Sequence, residues 1–499
     1  ADKGIKLRIK LDDFSLLDFG QAQAIYQRGY DSAIAIMDSI KTRITARRSQ
    51  EELSSQRAKF KAALPPLRFN RVNVTGGTPR QNEYIRHMFA PRKYTDTIGE
   101  EHALLAFYRA ISSDKIETLN PQAHLSEGSD SLFTLNLEAT VKNSFDIGMG
   151  GFITSSNNSY LYARAGFSSL SFSSLNTDLE AWIGQSYMAG AFTGQFNIPS
   201  RVQSALRLTA VASRRKYYEN EKLFFRDNEP SFVIKHEYFG KVSWAMAAGR
   251  TGEAEVGIGG GRLYNSFFRH VNEESYEAGR DHLALDLGQV YVGYSSSTLN
   301  DLNYPTAGFG LNVKAQGLIG KADYKMPVGQ SLTRRSDNVS WIQASVLMRD
   351  YLPVHRHWTL GIEGRAVLST RKLLDDYYST ITSAPAFEPT PASHNFFDPA
   401  MRANSYLAAG IVPVYRFNDR ISGRVAAHAF VPLRSIVERD GGGVGYGRWF
   451  GSAEFFGELD LVYRLPFGSV CGYCNYSSSM HHFNVGLSLG IYINAPSFL

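Results

Sequence analysis

The chain has 499 residues, 43% of them hydrophobic and 20% charged, with a net charge of +6, 31 Phe, 27 Tyr, 44 Gly and two Cys. That length leaves room for more than one domain. Two cysteines exclude a disulfide framework, and a mild positive charge without a dense Lys/Arg stripe leaves no footprint for nucleic acid. No apolar run reaches the roughly 18 residues of a membrane-spanning helix, so any membrane span has to be sought in strands, which spend only every second residue on lipid.

At the start, IKLRI (Ile5 to Ile9) alternates like a strand. Between Asp18 and Arg48, Ala24, Ile25, Ala33, Ile34, Met37 and Ile40 recur at helical spacing. One strand and one or two helices bury too little surface to fold alone, so residues 1–63 read as a fragment of an α/β domain, ending in a polar helical linker at 51–63. The opening ADKGIKL lacks a basic region followed by an apolar core, so a secretion signal is either already removed or lies upstream, and upstream is the expectation. After Pro65-Pro66 the pattern runs strand (Phe69, Arg71 to Val74), Gly76-Gly77 turn, helices Gln81 to Phe89 and Ile98 to Ile111, then strands Glu117 to Leu125 and Ser131 to Val141. Residues 64–142 are therefore expected to form a small α+β domain.

From residue 143 onward the period is two. Strands are predicted at 144–155, 158–172, 176–187, 191–199, 202–218, 232–248, 253–267, 281–297, 306–325, 340–353, 357–369, 405–416, 420–436, 451–464, 468–476 and 483–493. In the last of them Phe483, Val485, Leu487, Leu489, Ile491 and Ile493 alternate with small or polar residues. Elsewhere Arg164, Glu363, Arg365, Glu454, Glu458 and Asp460 fall on the face opposite the apolar one. Unbroken hairpins over two-thirds of the chain are too many for a sandwich and suit an all-β transmembrane barrel of about 16 antiparallel strands, polar inside and apolar toward lipid. Long connections (219–231, 268–280, 326–339 and 370–404) fall at one end and short turns (His355 to His357, Asn418-Asp419, Pro466-Phe467) at the other, the asymmetry of an outer-membrane barrel.

Several motifs carry a family resemblance. DFGQAQAIYQRGYDSAIAIMDSI resembles the closing segment of patatin-like phospholipase domains, in which an Asp-Phe pair (here Asp18-Phe19) precedes a helix interrupted by Gly-Tyr (Gly29-Tyr30). The β-α-α-β-β order of residues 64–142 is similar to a single POTRA domain. NYPTAG, Asn303 to Gly308, resembles the Pro-Thr-x-Gly turn that barrels of the BamA/TamA assembly-factor superfamily carry after their eighth strand. The long segment 370–404 falls where that superfamily places a loop that folds back into the lumen, although the Arg-Gly-Phe/Tyr signature of that loop is replaced by FFDPAMRANSY.

The resemblance implies the barrel portion of a bacterial outer-membrane patatin-like phospholipase, with periplasmic N-terminal domains and a catalytic body before residue 1. The alternatives are a factor that assembles or secretes other outer-membrane proteins, and a non-enzymatic barrel subunit of a larger complex. The implied partners are outer-membrane lipids, lipopolysaccharide, the assembly machinery that inserts the barrel, and other outer-membrane subunits.

Candidate chemistry is sparse. Patatin-type hydrolases need a Gly-x-Ser-x-Gly elbow, and none occurs here. Asp440-Gly441-Gly442 matches the Asp motif and Gly259-Gly260-Gly261-Arg262 echoes an oxyanion loop, but the first reads as a hairpin turn and the second as an in-strand glycine cluster. Cys471 and Cys474 form a Cys-x-x-Cys with His481 and His482 nearby; in a strand, residues three apart lie about 10 Å apart, beyond disulfide reach unless a local turn brings them together. His355 and His357 sit in a predicted turn, where solvation is the simpler reading. No catalytic residue, cofactor site or metal site is therefore assigned in this chain, and the lumenal charges are expected to pair with one another across the interior.

Overall fold

The computed structural model describes the chain outside residues 1–4, 15–20, 45–47, 64, 90–96, 114, 130, 157, 172–173, 199–201, 218–231, 270–278 and 329–330. By proximity it divides into two compact units, residues 1–73, 89–105 and 122–136 in one and residues 74–88, 106–121 and 137–499 in the other.

Helices α1 (Ala22–Ala35), α2 (Met37–Arg43) and α3 (Gln50–Ala63) bury no residue. Gly29 and Tyr30 lie inside α1, which runs through them unbroken to Ile36; Asp18 and Phe19 lie outside the described residues. A reciprocal capping box starts α3, with Ser49 Oγ accepting from the Glu52 N–H and Glu52 accepting from the Ser49 N–H, both at 3.1 Å. Next come β1 (Arg68–Thr75), α4 (Pro79–Phe89), β2 (Ile98–Gly99), α5 (Glu100–Ile111), β3 (Ile116–Leu125) and β4 (Phe133–Val141). The four strands form a sheet in the order β2-β1-β4-β3. The expected order of elements is thus present, with the short β2 added. Gly76 makes the turn after β1 at φ 97°, where a Cβ would stand 2.1 Å from the Ala139 carbonyl oxygen.

The remainder is a closed antiparallel barrel. Its sixteen strands are β5 (Phe145–Thr154), β6 (Tyr160–Ser168), β7 (Leu175–Gly184), β8 (Tyr187–Ile198), β9 (Ser204–Tyr217), β10 (Val233–Ala248), β11 (Gly252–Phe267), β12 (Asp281–Ser297), β13 (Gly308–Val328), β14 (Ser331–Pro353), β15 (Trp358–Ser369), β16 (Tyr406–Arg416), β17 (Ile421–Pro432), β20 (Glu454–Leu465), β21 (Gly468–Ser477) and β22 (His482–Gly490), while β18 (Arg434–Arg439) and β19 (Gly443–Trp449) form a separate hairpin. Each predicted strand has its counterpart. Most boundaries shift by a few residues, and two of the differences bear on function. The connection expected at 326–339 is largely strand, because β13 and β14 run past the apolar band into a stretch where both faces are polar. The last strand ends at Gly490 rather than Ile493, because Gly490 takes φ 115° and turns the chain out of the wall.

Alternation places one side of each strand toward lipid. On β12, Leu283, Leu285, Leu287, Gln289 and Tyr291 are buried inside, whereas Val290 and Val292 are 61% and 55% exposed outside. At the end with short turns, Trp358, Tyr415 and Phe417 make a chain of edge-on ring contacts, an aromatic belt suited to a headgroup region. Beyond the apolar band the outer face turns charged: Arg262 holds Asp286 through two 2.6 Å hydrogen bonds. Charge is therefore not confined to one face as expected; strands that outreach the hydrocarbon layer carry it on both. Ile258, flanked across its neighbours by Val242 and Val290, sits within the band. Ile258→Arg is expected to cost about 2–4 kcal/mol of barrel stability, read as a lower urea midpoint in lipid bilayers.

Candidate functional site: the seam and the filled lumen

The wall closes weakly where the first barrel strand meets the last. Strand β5 pairs with β22 only from Phe152 to Thr154 against Gly490 to Ser488, whereas β13 and β14 pair over their whole length. Flanking bonds are few: Ser155 N–H to the Leu487 carbonyl at 2.8 Å and Ile491 N–H to the Gly151 carbonyl at 3.0 Å. From Phe145 to Gly150, β5 is paired on one side by β6 and by no described strand on the other, while Ile147 and Met149 are 84% and 87% exposed. Backbone N–H and C=O groups left open at lipid depth cost several kcal/mol each, so such an edge favours any strand that pairs with it.

What would have covered that edge lies elsewhere. After Gly490, residues Ile491 to Leu499 turn into the lumen. The Tyr160 hydroxyl stands 2.7 Å from both the N–H and the carbonyl of Ile493, and Trp182 Nε1 donates to the same carbonyl at 3.0 Å. Asn303 bonds the Tyr492 N–H and carbonyl, both at 2.9 Å. Phe498 is fully buried, its ring 5.5 Å from that of Phe239. Sequence reasoning missed this tail because Ile491 and Ile493 continue the alternation of β22; the usable signals were Gly490 and Pro496.

Asn303 to Gly308 also folds against the inner wall. Arg464 donates to the Tyr304 carbonyl at 2.8 Å and Thr359 to the Thr306 carbonyl at 3.0 Å. Gly308 holds φ 101°, with a would-be Cβ 2.1 Å from the Thr298 carbonyl oxygen, which makes glycine obligatory at the end of this turn.

The segment 370–404 folds into the lumen as its position implied. It contains α6 (Tyr377–Ser383), capped by Asp376 accepting from the Ser379 N–H at 2.8 Å. Phe387 packs on Phe430 and Tyr406 of the wall. Arg402, within FFDPAMRANSY, is 4% exposed, donates to Glu388 at 3.0 Å and lies 4.1 Å over the Phe397 ring. Glu388 also meets His394 at 2.7 Å, and His394 stacks on Tyr492 of the tail at 4.8 Å. Burial pushes the Glu388 carboxyl up, but His394, Arg402 and Arg215 outweigh it and hold the group well below the usual carboxylate range. Arg402 thereby fastens the two halves of the loop to each other, while Thr390 and Asp398 tie it to Glu458 and Ser477 of the wall.

Loop, tail and wall enclose a cavity of about 430 Å³, whose polar lining includes Arg349, Glu363, Arg365, Glu388, His394 and His428. Lumenal charges take partners on a nearby strand or on the loop rather than across the interior. Arg164 holds Asp178 at 2.8 Å, Glu363 takes Tyr351 and His428 at 2.7 and 2.9 Å, Glu458 accepts from Thr390 at 2.9 Å, and Glu454 accepts from Ser478 at 2.5 Å. Adjacent strands lie about 5 Å apart, far nearer than the opposite wall.

The remaining motifs are spread over the barrel. Asp440 to Gly442 form the turn of the β18–β19 hairpin, Gly259 to Gly261 lie within β11, and His355 and His357 stand in the β14–β15 turn. Both cysteines are free; Cys471 points inward, 3.6 Å from Asp460, and Cys474 sits opposite the lipid-facing Leu459. Among the described residues no cluster of three metal-ligating side chains occurs.

No known sequence family and no curated protein matches the chain. Solved structures do. BamA from Haemophilus ducreyi lacking POTRA domains 1–3 aligns with a TM-score of 0.57 at 11% identity, covering 84% of this chain and 83% of that one. CdiB from Acinetobacter baumannii aligns with a TM-score of 0.47 at 9% identity, covering 95% and 88%. The likeness to BamA is one of fold: this chain is a closed sixteen-stranded barrel of the same architecture.

Proposed function

We propose that the protein is an outer-membrane factor for assembling or secreting other proteins, and that its barrel opens at the β5–β22 seam to offer the edge of β5 to a client strand. The observation that supports this reading is the seam itself, paired only over Phe152 to Thr154, with the rest of the β5 edge open at lipid depth. Such an edge recruits an extended segment through main-chain hydrogen bonds and tolerates many sequences. Residues 64–142 would then serve as a POTRA-like periplasmic module that hands clients to the barrel.

Ile153 and Leu489 are directly opposed across the seam. In a background with Cys471 and Cys474 changed to Ser, Ile153→Cys with Leu489→Cys is expected to lock the barrel when oxidised. Several unrelated outer-membrane or secreted proteins should then fall together and recover on reduction. Unchanged levels with the crosslink formed would overturn the reading.

A finer reading makes the client a lipid acyl hydrolase carried upstream on the same polypeptide. The DFGQAQAIYQRGY sequence supports it, and the sequence of the full gene product tests it: an upstream region without Gly-x-Ser-x-Gly would remove it.

A further inference from the structure

The contacts that hold residues 491–499 are aimed at its backbone. Besides Tyr160, Trp182 and Asn303, the Tyr187 hydroxyl accepts from the Ala495 N–H at 2.9 Å. Glu237 accepts from the Phe498 N–H at 3.1 Å. Lys241 donates to the carbonyls of Ser497 and Phe498 at 2.7 and 3.2 Å, and Lys314 reaches the Phe498 carbonyl at 3.2 Å. Side-chain selection is confined to a few places. Arg215 meets the Tyr492 hydroxyl and Asn494 Oδ1 at 3.1 and 2.6 Å, and Phe498 fills an apolar pocket beside Phe239.

These donors and acceptors stand on β6 to β10, on β13 and in the turn before it, and they satisfy a peptide's N–H and C=O groups as a sheet edge would. Two lysines and a glutamate converge on one short stretch of main chain. Lys241 and Lys314 are half-buried, and an empty cradle takes away the carbonyls that accept their charge-assisted hydrogen bonds. An empty cradle would therefore favour another peptide in the same place.

We propose that the inner wall from β5 to β13 is a binding site for an extended polypeptide segment, read through its main chain and anchored by two aromatic residues six positions apart, and that residues 491–499 now fill it. The ligand class is an uncharged extended peptide with a tyrosine and a phenylalanine at the spacing of Tyr492 and Phe498. This deepens the assembly reading by naming the chemistry of a client segment, and it rests on that reading for the source of the peptide. Occupancy also links the two sites: while the tail lies in the cradle it cannot cover the edge of β5, and a client that displaces it would free it to return to the wall.

The test is binding of a fluorescently labelled peptide, IYINAPSFL, to the purified full chain and to a variant lacking residues 491–499, with barrel folding checked by heat-modifiable gel mobility. The truncated variant is expected to bind at least tenfold more tightly than the full chain. Adding Lys241→Met and Lys314→Met to it should remove at least tenfold of that affinity. N-methylation of the peptide at the residues matching Ala495 and Phe498 should do the same, because each loses a donated hydrogen bond. A full-length Phe498→Ala variant, which empties the pocket beside Phe239 without deletion, should bind the peptide more tightly than the parent.

Equal binding by truncated and full-length folded barrels, or binding indifferent to N-methylation, would overturn the proposal. The assay needs no seam opening. Failure here with a positive seam crosslink would remove the cradle alone, and binding here with a silent crosslink would remove the assembly reading alone.

Discussion

Arg402→Ala is expected to release the 370–404 segment from the lumen, seen as new protease cleavage between residues 370 and 404 in a barrel that otherwise stays folded. The Arg402 side chain is 2% exposed and its partner Glu388 17%. Removing one partner of a buried ion pair costs about 3–5 kcal/mol when the other is left stranded; here His394 and Arg215 stay beside Glu388, which holds the cost below that range. The aromatic contact with Phe397 goes as well. Replacing both partners, Arg402→Met with Glu388→Gln, should open the loop further than the single change, because it also takes the carboxylate from His394 and Arg215. If the single and double variants are as closed to protease as the parent, the ion pair is not what holds the loop.

The same pair gives the loop a pH dependence with a definite sign. The carboxyl of Glu388 is held below its ordinary value in the folded chain: burial alone would raise it, and the surrounding cations more than compensate. A depressed carboxylate contributes stability that is fully present above the unfolded value of about 4.3 and is lost as pH falls through the lower folded value. Loop protection should therefore be flat from pH 7 to pH 5 and decline only in stronger acid. In the Glu388→Gln variant this acid-dependent part should be missing.

Sixteen strands were legible because a wall between lipid and a polar interior repeats every second residue, and the glycines and aromatics that curve and belt it are frequent enough to notice. The signal disappears wherever the two faces meet the same medium. Around Thr333 to Ser340 both sides of β14 are polar, so a strand reads as a loop. Inside the lumen the reverse occurs. Phe387, Phe396, Phe397 and Met401 are as buried as any core residue, yet no period marks them, because an irregular segment packs its apolar residues wherever the wall leaves space. The pairing of Arg402 with Glu388 was hidden for a related reason: the expected three-residue signature was absent, and what replaces it is assembled from residues fourteen positions apart. The seam was marked in the sequence only by Gly490 and Pro496. Strand β22 carries apolar alternation as regular as that of any other strand, and only the backbone of Gly490 shows that it stops.

That glycine sets up the second large effect. Gly490→Val is expected to close the seam and draw the tail out of the lumen. At φ 115° an L-residue is strained, and a Cβ there would lie 2.0 Å from the Gly151 carbonyl oxygen. Valine, which favours extended backbone, would straighten the chain at this point and extend β22 along β5. The register set by Gly490 opposite Phe152 would then bring the residues after 490 alongside Gly151 and the residues before it. Client levels should fall as in the oxidised crosslink but without recovery on reduction, while thermal stability of the barrel rises as the open edge is paired. Fluorescence of a probe at Ala495→Cys, in a background with Cys471 and Cys474 changed to Ser, should shift from the lumenal value of the parent toward that of a lipid-exposed or solvated site. A Gly490→Val barrel that keeps the lumenal signal and normal client levels would show that the turn at 490 does not control the seam.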